Sequence, residues 1–246
     1  QQDKVCNIRY RIHFVFARRE RAAITAINCV NGLIVAAIGP KLLLFRWDGT
    51  QLIGTAFLDT RIHCHSILVM KNFILTADLF QGLDLYHWEH DIASIVKLAR
   101  DVQFRSVYSV NWSIHKQSDN HVHDETDENE FEFLVSDMHQ NIHLISYQPH
   151  LNYGFLSSMD KEKLYTKCLF HIGTNISDSV LMKYRNKANY FNISACIDGS
   201  INYLVPISEK MYRRLSSLHS QMIFYCKHDA GLNPREYRYC MNNCVA

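Results

Sequence analysis

The sequence predicts an all-β fold, a partial β-propeller of about four four-stranded antiparallel blades followed by a short C-terminal helix. Segments rich in β-branched and aromatic residues alternate apolar and polar positions, and short turns separate them. These segments recur with a period of roughly 40 residues, which is the spacing of propeller blades. After residue 207 the apolar period changes from that of a strand to that of a helix.

The repeat is clearest at the turn between the second and third strand of each unit. These turns, with the strands that follow them, lie at 38–47, 78–88, 137–147 and 198–206. Three of the turns begin with an aspartate: Asp78, Asp137 and Asp198. An aspartate at this position can accept hydrogen bonds from the backbone N–H groups of its own turn. We therefore interpret the three carboxylates as turn residues and not as catalytic groups.

Strand patterns fill three of the four units completely. The first unit covers 24–59, the second 63–100 and the third 106–172, whereas the last strand of the fourth, after 179–207, is unclear. The third unit is longer because 116–130 is inserted, an acidic segment that we expect to be a solvated loop. If the blades belong to a larger propeller, the first and last blades have open edges.

A helix is predicted over residues 208–222, with Ser208 as its N-cap. One face of this helix carries the apolar residues Met211, Leu215, Leu218 and Met222. The chain is therefore expected to contain propeller blades over residues 1–207, and the helix with a truncated C-terminal tail over residues 208–246.

Length, charge and cysteine content limit the classes of protein to which this chain can belong. The 246 residues carry a net charge of +2, which does not favour a domain that binds a polyanion over its whole surface. The eight cysteines are spread through apolar strands, as buried free thiols are, and do not resemble a disulfide framework. The sequence shows no signal peptide and no apolar run long enough to span a bilayer, so we expect no membrane association.

The sequence contains no catalytic, phosphate-binding or metal-binding motif with the spacing that such a site requires. The sequence contains no Gly-x-Ser-x-Gly elbow, and the glycines near Lys41 are too far apart for a phosphate loop. His63 and His65 would share one face of a strand while Cys64 points to the other, so the three cannot bind one metal ion. We therefore predict no enzyme activity, no cofactor, no metal site and no small-molecule substrate.

Basic and aromatic residues near the end of the chain are the remaining candidates for function. They are Tyr212, Arg213, Arg214, Arg235 and Arg238. Arginine interleaved with tyrosine suits contacts with RNA or with a protein partner. The alternative is a solvated helix face with local ion pairs, such as Glu209 with Arg213 one turn later. The sequence leaves both interpretations open.

Several stretches resemble the family of the largest subunit of the cleavage and polyadenylation specificity factor, in its C-terminal region. They are 24–47, 54–60, 71–88, 133–149 and 209–238. The most specific are Met-Tyr-Arg-Arg-Leu at 211–215 and Gly-Leu-Asn-Pro-Arg at 231–235. The large subunit of the damaged-DNA-binding complex shares this propeller domain, but there the Gly-Leu-Asn-Pro-Arg stretch is replaced.

The resemblance implies a fold and a role that spacing alone does not show. The family has three β-propellers and a C-terminal helical domain, and this chain would be a large part of the third propeller. Its implied function is a non-catalytic scaffold in pre-mRNA 3′-end processing, in the nucleus. Its implied partners are the WD-repeat subunit and the zinc-finger subunit that recognise the polyadenylation signal. RNA would be contacted directly or through these subunits, and a direct RNA-binding propeller is the alternative function.

Overall fold

The strands form consecutive antiparallel blades in chain order, one for each predicted unit, and two parallel residue pairs, Lys163 with Arg100 and Leu164 with Asp101, join the second and third blades into one sheet. The structure is a computed structural model that describes residues 13–103, 105–113, 131–148, 163–183, 190–226, 228 and 230–232, and the backbone of 238–240. Blade 1 consists of β1 (Ile24–Val30), β2 (Leu33–Ile38), β3 (Lys41–Trp47) and β4 (Leu52–Asp59). Blade 2 consists of β5 (Cys64–Met70), β6 (Phe73–Asp78), β7 (Gly82–Glu89) and β8 (Ser94–Asp101).

The later blades follow the same order with two differences. Blade 3 consists of β9 (Val107–Trp112), β10 (Phe131–Asp137), β11 (Asn141–Tyr147) and β12 (Lys163–His171). Blade 4 consists of β13 (Ile176–Lys183), β14 (Tyr190–Cys196) and β15 (Ile201–Leu204), so in the described part of the chain it is one strand short. A short strand, β16 (Arg238–Cys240), pairs with β12 of blade 3. The all-β propeller prediction is confirmed.

The core lies between successive blades, because the central strands of blade 2 bury both of their faces. In β7, Leu83 and Leu85 pack in the cluster shared with blade 3, while Tyr86 and Trp88 pack in the cluster shared with blade 1. Side chains of a strand alternate between its two faces, so one strand contributes to both clusters. This is why the middle strands of the blades are apolar at successive positions as well as at alternate ones.

The three aspartates at the turns act as the repeat predicts. Asp78, Asp137 and Asp198 each accept, through Oδ1, the backbone N–H of the residue two positions later, at 2.8, 2.9 and 3.0 Å. The bond restrains the tight turn between the second and third strand of the blade. Their interpretation as turn residues is confirmed.

The first and last blades expose surfaces that the middle blades bury. Ile27 in β1 and Ile67 in β5 hold equivalent positions, opposite Ala36 and Thr76 of the second strands. Ile67 is 5% exposed because blade 1 covers it, whereas Ile27 is 63% exposed. At the other end of the arc, Val180 in β13 is 55% exposed. In the part of the chain that the structure describes, the outer faces of the first and last blades are therefore open to solvent.

Helix α1 (Glu209–Tyr225) follows blade 4, as predicted. Its N-cap is Ser208, whose Oγ accepts the backbone N–H of Met211 at 3.4 Å. The acidic segment 116–130 lies outside the described residues. The structure contains, in its described ranges, no helix long and apolar enough to cross a membrane.

The described cysteines are free thiols, as the sequence predicts, but they are not all buried. Cys64 and Cys196 are buried within the sheets, whereas Cys29 and Cys226 are exposed. Burial raises the pKa of the Cys64 thiol to about 12, with a smaller contribution from the nearby Asp78 carboxylate. This thiol therefore stays protonated and behaves as a small apolar side chain.

Candidate interaction surfaces

Helix α1 has an apolar face that no other described element covers. None of its 17 residues is buried. The side chains on this face are 47–79% exposed: Met211, Leu215, Leu218, Met222 and Tyr225. An isolated helix of this length is marginal in water, and most helical stability in proteins comes from packing an apolar face. The stripe is therefore a surface suited to a partner.

The predicted contact residues on α1 do not form a single patch. Successive residues of a helix project about 100° apart, so Tyr212, Arg213 and Arg214 point in three directions. Arg213 donates to the carboxylate of Glu209, and both side chains remain exposed. The ion pair expected from the sequence is therefore formed, and it leaves Arg213 accessible to solvent.

The side chains of two further predicted contact residues, Arg235 and Arg238, are outside the part of the chain that the structure describes. Arg235 lies outside the described residues, and Arg238 belongs to β16, of which only the backbone is described. A role of these residues and of the three on α1 in contacting RNA or a partner stays a prediction.

A buried carboxylate with three cations around it joins the loop before blade 2 to the outer strand of that blade. Asp84 in β7 is 2% exposed. The Arg61 guanidinium lies 2.8 Å from one carboxylate oxygen, and the Lys97 ammonium lies 2.7 Å from the other. Arg100 approaches from β8 at 3.4 Å. Three positive charges therefore surround the one buried carboxylate of Asp84.

The charge state of Asp84 follows from two opposed effects. Burial raises the pKa of this carboxyl group, but the hydrogen bonds and charges of Arg61 and Lys97 outweigh it, so the pKa lies below its ordinary value. Burial lowers the pKa of the Lys97 ammonium group, and the hydrogen bond and negative charge of Asp84 only partly offset this effect. The Asp84 carboxyl group is therefore charged at neutral pH. The sequence signal that we missed is an aspartate within an otherwise apolar run, Gly82–Trp88.

A second buried ion pair links blade 2 to blade 3. The Arg105 Nε lies 3.5 Å from the Asp101 carboxylate, and the Arg105 Nη2 donates to the side chains of Gln103 and Thr166. Burial raises the pKa of Asp101 and lowers the pKa of Arg105, since the charged form of each is poorly solvated. A cavity of about 380 Å³ lies beside this pair, between β8 and β12.

In blade 3, the turn aspartate Asp137 also contacts a buried histidine, His143. His143 Nε2 lies 2.7 Å from the second carboxylate oxygen of Asp137, and both side chains are buried. Burial raises the pKa of Asp137, but the hydrogen bonds from His143 and Asn141 have a larger, opposite effect. The pKa of this carboxyl group is therefore lowered to about 2. The carboxylate is therefore fixed in its charged form by its turn and by the neighbouring strand.

Of the three residues considered for metal binding, Cys64 and His65 begin β5, whereas His63 precedes the strand. Cys64 is buried, while His65 is exposed and its Nε2 lies 3.0 Å from the main-chain oxygen of Tyr108. In the ranges that the structure describes, no group of three or more His, Cys, Asp or Glu side chains could hold a metal ion.

Comparison with known proteins identifies the family. Residues 2–245 match the family described as the CPSF A subunit region. The chain is 28% identical over 243 residues to the cleavage and polyadenylation specificity factor subunit 1 of Drosophila melanogaster, covering 94% of this chain and 16% of that protein. It is also 28% identical over 230 residues to the same subunit of Arabidopsis thaliana, covering 91% and 15%.

A fungal relative is similar to this chain to the same extent. The chain is 28% identical over 222 residues to Protein CFT1 of Yarrowia lipolytica, covering 90% of this chain and 16% of that protein. The chain thus spans about one sixth of the length of these relatives. Since the family match extends over nearly the whole chain, the chain belongs to the CPSF A subunit family.

Proposed function

We propose that this chain is a non-catalytic scaffold domain of the pre-mRNA cleavage and polyadenylation complex, acting in the nucleus. The observation that carries the proposal is the exposed apolar face of α1, in a chain whose relatives are named as subunits of the cleavage and polyadenylation specificity factor. The proposed role is to organise the WD-repeat and zinc-finger subunits that recognise the polyadenylation signal.

The physical basis is the apolar surface that remains open after folding. Burial of apolar surface contributes about 25 cal/mol per Å², and the aromatic and aliphatic side chains at the centre of an interface contribute most. Met211, Leu218 and Tyr225 on α1 are of this kind and are 47%, 53% and 79% exposed. A partner that covers this stripe would bury it without disturbing the blades.

Co-purification tests the proposal. A tagged full-length protein that carries this chain is coexpressed with the WD-repeat subunit and the zinc-finger subunit. We expect both subunits to be recovered with the tag through size-exclusion chromatography. Recovery of neither subunit would contradict the scaffold role.

A second candidate function is direct RNA binding, favoured by the exposed arginines of α1. Arg213 and Arg214 are both exposed and could reach phosphate groups. A salt-dependent gel shift with single-stranded RNA separates this function from the scaffold role, because a scaffold without RNA contacts gives no shift.

A further inference from the structure

Two cysteines lie opposite each other where the strand β16 pairs with blade 3. The antiparallel register sets Cys168 of β12 against Cys240 of β16, and it sets Leu169 against Tyr239 in the next pair. Blade 4 and α1 lie between the two cysteines in the chain. The fold therefore brings two thiol residues that are distant in the sequence to opposite positions of one ladder.

The other cysteines in the described strands have no cysteine opposite them. Their partners are Ile34 for Cys29, Asp78 for Cys64 and Ile176 for Cys196. Cys226 lies at the C-terminal end of α1, outside the sheets. Among the ladders that the structure describes, the pair of Cys168 and Cys240 is therefore the one position at which strand pairing sets two cysteines together.

The separation of opposite residues in an antiparallel ladder suits a disulfide bond. Their Cα atoms are about 4.5 Å apart in a non-hydrogen-bonded pair and about 5.5 Å apart in a hydrogen-bonded pair. Cysteines that are joined by a disulfide have Cα atoms about 4.4–6.8 Å apart. Both kinds of pair lie within this range, so Cys168 and Cys240 can be bridged while the ladder between β12 and β16 is kept.

Cys168 is more accessible than the cysteines of the sheet core. It is half-buried, whereas Cys64 and Cys196 are buried. It lies in β12, the fourth strand of blade 3. Thiol–disulfide exchange requires that the attacking compound reach the sulfur atom. The position of Cys168 therefore allows exchange with a small thiol or disulfide compound in solution.

We propose that Cys168 and Cys240 are a thiol pair that closes reversibly to a disulfide across β12 and β16. The oxidant is a low-molecular-weight disulfide such as glutathione disulfide. The thiolate of one cysteine attacks this disulfide, forms a mixed disulfide and releases one glutathione. The thiolate of the second cysteine then attacks the mixed disulfide and releases the other glutathione. Two protein thiols are thus oxidised by two electrons, and the two released glutathione thiolates take up the protons that the cysteines lose.

The bond would decide how firmly β16 stays on blade 3. β16 contains three residues and makes three pairs with β12, whereas a typical strand has about five or six residues. Since so short a ladder provides few hydrogen bonds, a covalent link adds much to the attachment. Disulfides in reducing compartments are usually transient. The pair is therefore a redox-sensitive attachment of the tail, and the inference is independent of the proposed scaffold function.

Peptide mapping of the full-length protein that carries this chain tests the inference. The folded protein is equilibrated with mixtures of reduced and oxidised glutathione, its remaining thiols are alkylated, and it is digested with trypsin without reduction. Cleavage after Lys167 and Arg238 gives one peptide that begins at Cys168 and another that begins at Tyr239. We expect mass spectrometry to find these two peptides joined, and separate after reduction. Absence of the joined peptides in the most oxidising mixture would overturn the proposal.

Serine variants identify the partner of Cys168, because the second peptide also contains Cys244. Cys240→Ser should abolish the joined peptides, and Cys244→Ser, the matched control, should leave them unchanged. Joined peptides that persist in Cys240→Ser, or that disappear in Cys244→Ser, would overturn the proposal, since Cys244 would then be the partner. So would a disulfide-linked dimer on a non-reducing gel that Cys240→Ser removes, because the bond would then join two molecules.

Comparison of the folded and the unfolded protein shows whether the fold creates the pair. We expect the equilibrium constant for closing the disulfide, measured against glutathione, to be at least about tenfold larger in buffer than in concentrated urea. The reason is that pairing of β16 with β12 holds the two residues together in the folded protein alone. Equal constants in the two solvents would overturn the proposal.

Discussion

Asn28 in β1 of blade 1 and Asn111 in β9 of blade 3 each make an equivalent pair of hydrogen bonds. Each side-chain Nδ2 donates at 2.8 Å to a main-chain oxygen in the first strand of the next blade, Ile67 for Asn28 and Ser179 for Asn111. Each Oδ1 accepts the N–H of the following residue at 2.8 Å. Blade 1 is therefore fixed to blade 2 in the way that blade 3 is fixed to blade 4.

Removal of the buried asparagine should destabilise the fold. Asn111→Ala leaves the Ser179 oxygen without its side-chain donor, and loss of a buried hydrogen-bond partner costs about 1–3 kcal/mol of unfolding free energy. Urea unfolding followed by circular dichroism measures this change. Thr50→Ala removes an exposed side-chain bond to Asp48 and serves as the control, with an expected change below about 0.5 kcal/mol. Equal effects of the two substitutions would contradict the role of Asn111.

Neutralising the buried carboxylate of blade 2 should destabilise the chain more than breaking the ion pair on α1. Asp84→Asn leaves the Arg61 guanidinium, whose side chain is 8% exposed, without its counterion. Loss of one partner of a buried pair costs about 3–5 kcal/mol. Glu209→Gln, on the exposed α1 pair, should cost less than about 0.5 kcal/mol. Urea unfolding compares the two, and a smaller loss for Asp84→Asn would contradict the cluster.

The Asp137 carboxylate should make stability depend on acid pH. Its pKa is lowered from 3.8 to about 2 in the folded chain, so the unfolded state takes up the proton first as pH falls. The stabilisation is present above about pH 4 and is lost as pH falls toward the folded pKa. We expect Asp137→Asn to lower the unfolding free energy by about 2 kcal/mol near neutral pH.

Urea unfolding as a function of pH checks this prediction. The difference between the wild type and Asp137→Asn should narrow as the pH falls from about 6 to about 3, because the unfolded wild type then takes up a proton that the folded Asp137, with its lower pKa, does not bind. A difference that is constant over this range would show that the charge of Asp137 does not contribute. Asp198→Asn, at the exposed turn of blade 4, provides the matched control and should change stability less.

The exposed arginines of α1 give a direct test of RNA contact. If Arg213 and Arg214 meet phosphate groups, the double alanine variant should bind RNA more weakly and with a shallower dependence on salt. The reason is that each lost phosphate contact reduces the number of counterions released on binding. Gel shifts at several salt concentrations measure both quantities. Unchanged affinity and slope in the double variant would exclude this patch as the RNA site.

The blades could be predicted from the sequence because their signals are local. The alternating strands and the Asp78, Asp137 and Asp198 turns repeat at nearly constant spacing, and each depends on neighbours a few residues away. The start of α1 at Ser208 was predictable for the same reason. Local propensity and long-range packing agree in these elements, as they do in most foldable sequences.

The contacts between blades could not be predicted from the sequence. The register of β7 against β8 sets Asp84 opposite Arg100 and two residues from the position opposite Lys97, and Arg61 reaches the same carboxylate from the loop before β5. In the sequence, Asn28 and Asn111 are indistinguishable from other polar strand residues, because their hydrogen-bond acceptors lie in the next blade. The sequence shows no clear pattern for a fourth strand of blade 4, and the described residues form none there, whereas the groove of about 270 Å³ that lies beside β15 depends on blade 3 and could not be predicted.

The recovery of coexpressed subunits with a tagged full-length protein tests the central claim most directly. Leu215→Glu with Leu218→Glu places charge on the apolar face of α1, where the wild-type side chains are 47% and 53% exposed, so the fold should be unaffected. We predict that the wild type retains the WD-repeat and zinc-finger subunits and that the variant, with an unchanged unfolding midpoint, loses them. Equal retention by both proteins would contradict the claim that this surface carries the function.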